Sequence, residues 1–213
     1  MSNTSQTSAL PPVLRSHHLS GGPSGETIIH DLSVAWWPGL HWVCGDEGSG
    51  KTSLLRLLAG DLPAVQGTVD RPSDGVFWAD LKGSEHDQAT VQDCWDRLKA
   101  LYPNWQHALE QDLIEALDME RHRHKPLFML ATGSRRKVML VAALASGAGV
   151  TLLDQPFVSL DQVSVRVIQD FLAEAAAHPS RAWIVADYEV PKDLMPNSVL
   201  DLSQVKPRPC NPQ

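Results

Sequence analysis

The chain has 213 residues, 43% of them hydrophobic, which is enough for one large domain or a domain carrying an inserted subdomain. A net charge of −7, with Lys and Arg scattered or in short clusters, argues against the broad basic face a nucleic-acid binder depends on. Cys44, Cys94 and Cys210 show no CxxC spacing, so neither a disulfide framework nor a zinc site is suggested, and a reducing compartment is the natural setting.

The opening MSNTSQTSALPPVL lacks the basic and apolar regions of a secretory signal, and no apolar run approaches the roughly 18 residues of a membrane span. Residues 1–12 and 206–213 read as flexible tails around a single domain, 13–205. VLRSHHLS and ETIIHDLSVAW alternate apolar with polar residues and suggest two strands joined by the turn-rich GGPSG. LHWVC, Leu40 to Cys44, is a short apolar run ending at Gly45. From Lys51, KTSLLRLLAG carries leucines at helical spacing and closes at Gly60. A further strand is expected at Gly75 to Trp78.

Residues Thr90 to Asp118 read as two amphipathic helices interrupted by Pro103, the substance of a helical subdomain over about 84–132. The turn cluster ATGS precedes a helix expected from Arg135 to Ala145. Two apolar strands, VTLLD and AWIVAD, follow, with the helical VRVIQDFLAEAAAH between them. Strands that alternate with helices and are apolar throughout imply a parallel sheet covered on both faces. There are no internal repeats, and the fold class is α/β.

The stretch Gly45, Asp46, Glu47, Gly48, Ser49, Gly50, Lys51, Thr52 fits G-x-x-x-x-G-K-[ST] without mismatch, between an expected strand and an expected helix. Read as a phosphate loop, its backbone N–H groups surround phosphates, Lys51 reaches the β- and γ-phosphates and Thr52 holds Mg2+. Ser53 continues the site into the helix, and Asp46 and Glu47 contribute backbone rather than side chains. Asp154 ends the apolar strand VTLLD, where a phosphate-loop protein places a carboxylate toward Mg2+. The bland alternatives are a glycine-rich turn and a solvated strand end.

The order GDEGSGKT, LATGS (Leu130, Ala131, Thr132, Gly133, Ser134), LLDQP and SLD (Ser159 to Asp161) resembles the nucleotide-binding domain of ABC transporters over nearly the whole chain. The resemblance implies a RecA-like P-loop NTPase core with a parallel or mixed sheet plus a helical subdomain. It implies ATP and Mg2+ as ligands. LATGS would be the signature facing the nucleotide of a second subunit, LLDQ the strand carrying the metal-side Asp154, and Asp161 the D-loop aspartate. Among members the chain looks like small export-type subunits such as heme exporters. LSGG at Leu19 to Gly22 imitates the signature but precedes the phosphate loop and reads as a loop between strands. The basic triplet Arg135, Arg136, Lys137 has a solvated surface as its bland reading.

Four departures from the family concern turnover rather than binding. Gln155 stands where the family has a catalytic Glu, and an amide orients water without accepting its proton. Asp187 stands at the position matched to the switch histidine. Ala131 and Thr132 replace the first serine and glycine of the signature. No glutamine marks a Q-loop unless Gln88 serves; nor is an aromatic evident before the phosphate loop to stack on adenine, His17 and His18 being candidates whose bland reading is surface histidines. Trp36, Trp37, Trp42 and Trp183 lie in strand-like runs and are expected in the core.

Two functions remain open on this reading. One is an ATP-binding subunit, in a homodimer or a heterodimer, driving a membrane permease from its cytoplasmic face with slow hydrolysis. The other is an ATP-gated interaction module that does not hydrolyse. A different P-loop NTPase is disfavoured by LATGS and SLD.

Overall fold

Residues 11–80 and 86–204 are described in the computed structural model. Strand β1 (Leu14–Gly21) pairs antiparallel with β2 (Ile29–Leu32), after a tight 3-10 turn at Pro23–Gly25, and with the short β3 (Ala35–Trp36). The single strand expected over ETIIHDLSVAW is therefore divided. The buried Ser16 hydroxyl donates to Leu32 O and accepts from Val34 N–H, which fixes a bend where the ladder would have continued. Leu19 to Gly21 of the LSGG decoy end β1 itself rather than forming a loop.

Strand β4 (Gly39–Cys44) leads into α1 (Lys51–Ala59), which stops at Gly60, whose N–H donates to Arg56 and Leu57 carbonyls. Next come β5 (Gln66–Asp70), antiparallel to β1, and β6 (Val76–Phe77). Helix α2 (Val91–Leu101) opens with a capping box in which Thr90 and Asp93 each bond the other's backbone N–H. Helix α3 (His107–Ala116) follows Pro103, and the two are tied by Lys99 to Glu110 at 2.7 Å and the Trp105 indole N–H to Glu110 at 3.0 Å. Then come α4 (Thr132–Ala145), β7 (Val150–Asp154), α5 (Gln162–Ala175), β8 (Ala182–Ala186) and β9 (Ser198–Asp201).

The apolar runs make one parallel sheet in the order β6-β7-β8-β4-β9. Its side chains alternate between two cores. Leu40, Trp42, Leu153, Trp183 and Val185 face the side covered by α4 and α5, whereas Val43, Val150, Leu152, Ile184 and Ala186 face α1 and the antiparallel strands. Both faces are buried, which is why these strands lack polar alternation. Trp36, Trp42 and Trp183 are core residues as expected, but Trp37 is 47% exposed. Among the described residues no helix is long and apolar enough to cross a membrane. Cys44 and Cys94 are free thiols; Cys210 and most of the expected tails lie outside the described residues.

Candidate nucleotide site

The parallel sheet brings the carboxyl ends of three adjacent strands together, because Val43 of β4 and Asp154 of β7 both pair in register with Ala186 of β8. The loop after β4, the end of β7 and the segment after β8 thus share one edge, the usual place for a ligand in such sheets. Gly50, at φ 94, turns the loop into α1, and a side chain there would press on Ile28 at 2.8 Å. Lys51 is buried, and its ammonium donates to Gly45 O at 2.6 Å and Asp46 O at 2.9 Å while sitting 4.5 Å from the centre of the Tyr188 ring. The Thr52 hydroxyl donates to the Asp154 carboxylate at 2.8 Å. The buried Ser49 hydroxyl has no partner among the described residues.

A cavity of about 210 Å³ opens beside Thr52 and Asp154, walled by Trp78, Asp80, Arg136 and Met139 among others. Asp187, after the end of β8, is half-buried; burial raises its carboxyl pKa above the usual value, opposed by the bond from Tyr188 N–H and by Lys51. Arg136 points inward, and its Nη1 donates to Gln155 O at 2.5 Å and Asp154 O at 3.3 Å. Burial lowers the Arg136 pKa, with the charges of Asp154, Asp187 and Asp80 acting in the opposite direction. Gln155 has left-handed backbone, φ 46, and its N–H donates to Ala186 O.

Residues Leu130 to Ser134 enter α4. Ala131 is its cap position and offers no side-chain oxygen, and Thr132 begins the helix, three residues earlier than expected and lining the cavity. Gly133 lies so close to the next loop that a Cβ would stand 2.2 Å from Ser159 O. The Asp161 carboxylate caps α5 through Ser164 N–H and meets Lys137 at 2.8 Å, contacts that hold its pKa far below the carboxylate range.

The family model described as ABC transporter matches residues 29–158. The chain belongs to the ABC transporter family. As an ABC ATP-binding subunit it is 29% identical over 200 residues to an uncharacterized ABC transporter ATP-binding protein of Haemophilus influenzae, covering 90% of this chain and 80% of the relative. It is 31% identical to the cytochrome c biogenesis ATP-binding export protein CcmA of Rhodobacter capsulatus, over 78% of this chain and 75% of that one. A solved structure of the ATP-binding subunit of an ABC transporter superposes with TM-score 0.70 at 18% identity, covering 83% of this chain and 79% of the other. Those neighbours are P-loop NTPase domains, the same α/β fold.

Within this ABC subunit, the structure gathers residues 45–53, Asp154, Gln155, Asp187 and the start of α4 around one edge. Other expectations are redirected. Gln88 is exposed in the turn before α2 and does not line the cavity, where Asp80 stands instead. His17 and His18 are engaged by Asp70 and Asp31 on the antiparallel strands. The basic triplet is not a solvated face: Arg135 meets Asp87 at 2.6 Å, Arg136 reaches Gln155 and Lys137 meets Asp161. Sequence reasoning missed Tyr188, although its place directly after Asp187 at a strand end was a usable signal. It also missed the hollow of about 460 Å³ beside Asp46 to Ser49, lined by Ile28, Ile29, Leu32 and Leu202, with His30 as its one ring.

Proposed function

We propose that this subunit binds Mg2+-ATP on loop 45–53 and couples ATP-driven association with a second nucleotide-binding subunit, and slow hydrolysis, to a membrane permease. The observation that carries the reading is the Thr52 hydroxyl at 2.8 Å from the Asp154 carboxylate, beside the loop that holds the Lys51 ammonium. These are oxygen donors of the kind a hard divalent cation takes. Thr52 and Asp154 would hold Mg2+, which when bound supplies neutralising charge for the phosphates. Lys51 would exchange the Gly45 and Asp46 carbonyls for phosphate oxygens, and the unpartnered Ser49 hydroxyl supports an added acceptor at the same loop. Residues Leu130 to Ser134 would face the nucleotide of the second subunit, with Asp161 holding the adjoining loop. The named export proteins among the relatives support an export role on the cytoplasmic face of the membrane.

A second reading, an ATP-gated interaction module without turnover, is favoured by Gln155 and by Asp187 and Tyr188 beside Lys51. Calorimetric titration with Mg2+-ATP tests the binding claim: Lys51→Ala is expected to weaken affinity at least about tenfold. Equal affinity in the two proteins would remove the site assignment. Steady-state phosphate release then separates the readings, because restoring a general base through Gln155→Glu is expected to raise turnover, with about 10² to 10⁴ as the scale of such groups. Parent turnover that the Glu variant fails to exceed would refute the role given to Gln155.

A further inference from the structure

The segment 154–161 follows the end of β7, and α4 grips it at three places. At its first turn Gly133 seats on Ser159 O, leaving no room for a methyl group. One turn on, Arg136 donates to the carbonyls of Gln155 and Asp154. Beside it, Lys137 pairs with Asp161 at 2.8 Å. Of the three contacts, only that of Arg136 reaches the residue next to the metal-side aspartate.

The turn needs such a grip. Gln155 is a non-glycine residue in left-handed backbone, a conformation that costs energy and persists only where its surroundings determine it. Its N–H is held by Ala186 O, but among the described residues its carbonyl has only the 3.3 Å bond from Val158 N–H besides Arg136. The Arg136 guanidinium is half-buried at the cavity that Asp154 and Asp80 also line, so its grip on the turn is made away from bulk water.

We propose that Arg136 is a positioning residue for Gln155, so that α4 and the turn 154–161 move as one body. The inference rests on the nucleotide-site reading and deepens it. Displacement of the helical part by a docked partner would be delivered through the Arg136 bonds to the side chain that orients water. The phosphate loop, on α1, would stay in place. Among the described residues the hydrogen bonds of Arg136 go to backbone carbonyls, so it would act on turnover through the placement of Gln155.

The test compares the full chain with Arg136→Ala and Arg136→Lys by hydrogen exchange of amides, calorimetric Mg2+-ATP binding and phosphate release. In Arg136→Ala, exchange across residues 155–160 is expected to quicken about tenfold or more while α1 and β4 keep their protection. Millimolar guanidinium ion should restore the lost protection, and Arg136→Lys, which keeps charge but not the planar fork, should do so in part. Unchanged exchange across 155–160, or equal loss throughout α1 and β4, overturns the proposal. A parent that binds no Mg2+-ATP would instead defeat the nucleotide-site reading, while the exchange result would still decide whether Arg136 holds the turn.

Discussion

His41 lies buried on β4, between β8 and the edge strand β9, with both ring nitrogens engaged, Nε2 with Trp37 O at 2.7 Å and Nδ1 with the Ser198 hydroxyl at 2.8 Å. The carbonyl accepts only, so the neutral ring carries its proton on Nε2 and Nδ1 accepts from Ser198. Burial lowers the His41 pKa below the ordinary histidine value of 6.5, against the raising effect of the Trp37 bond. The folded protein therefore takes up this proton less readily than the unfolded chain. The contribution is whole above pH 6.5 and is lost as pH falls through 6.5 toward the folded value. Urea midpoints are expected to drop between about pH 7.5 and 5.5, with a smaller drop in His41→Gln; His122 and His178, lowered in the same sense, supply the remainder. An identical slope in parent and variant would assign the effect elsewhere. At this scale the candidate loop 45–53 was legible because the glycines and lysine of its pattern must be contiguous. Arg136 was not: successive helix residues point about 100° apart, so three basic neighbours meet Asp87, Gln155 and Asp161, and the letters alone do not say which turns inward.

Helix α4 begins at Thr132 behind a cap residue, Ala131, that can accept nothing from the first free N–H groups. Thr90 and Asp161 do supply that bond for α2 and α5. Ala131→Ser is accordingly expected to stabilise the fold by about 0.5–2 kcal/mol, read as a raised thermal midpoint in the absence of nucleotide. No gain would mean that the introduced hydroxyl points away from the helix. The early start of α4 escaped the sequence because ATGS scores as a turn, and only the contact of Gly133 with Ser159 O shows why a small residue belongs inside the helix there. The central strands were legible from their unbroken apolar runs. By contrast β5 is almost wholly exposed and β9 half so, and an edge strand without an apolar face leaves no periodic trace.

Across the whole molecule, the parallel sheet and its helices bury two cores, and the edge that carries the candidate site joins the ends of β4, β7 and β8. This topology was legible as class, from strands alternating with helices, but strand order was not, because pairing β4 with β8 and β9 spans more than 140 residues. If Leu130 to Ser134 face a second subunit's nucleotide, Mg2+-ATP should double the sedimenting species, and Lys51→Ala should stay monomeric. A parent that remains monomeric with Mg2+-ATP would exclude the homodimer and leave a heterodimer, testable by adding the second subunit.

Trp78 stands on the wall of the cavity that also contains Thr52 and Asp154, whereas Trp36, Trp42, Trp95 and Trp183 are sealed in the cores. The chain thus carries an intrinsic optical probe at the place where a metal-nucleotide complex would arrive. Its emission should change in proportion to occupancy over a nearly constant background, and Trp78→Phe should silence the change while heat of binding is still measured. A ligand-induced signal that survived in Trp78→Phe would assign the reporter to another of the seven tryptophans.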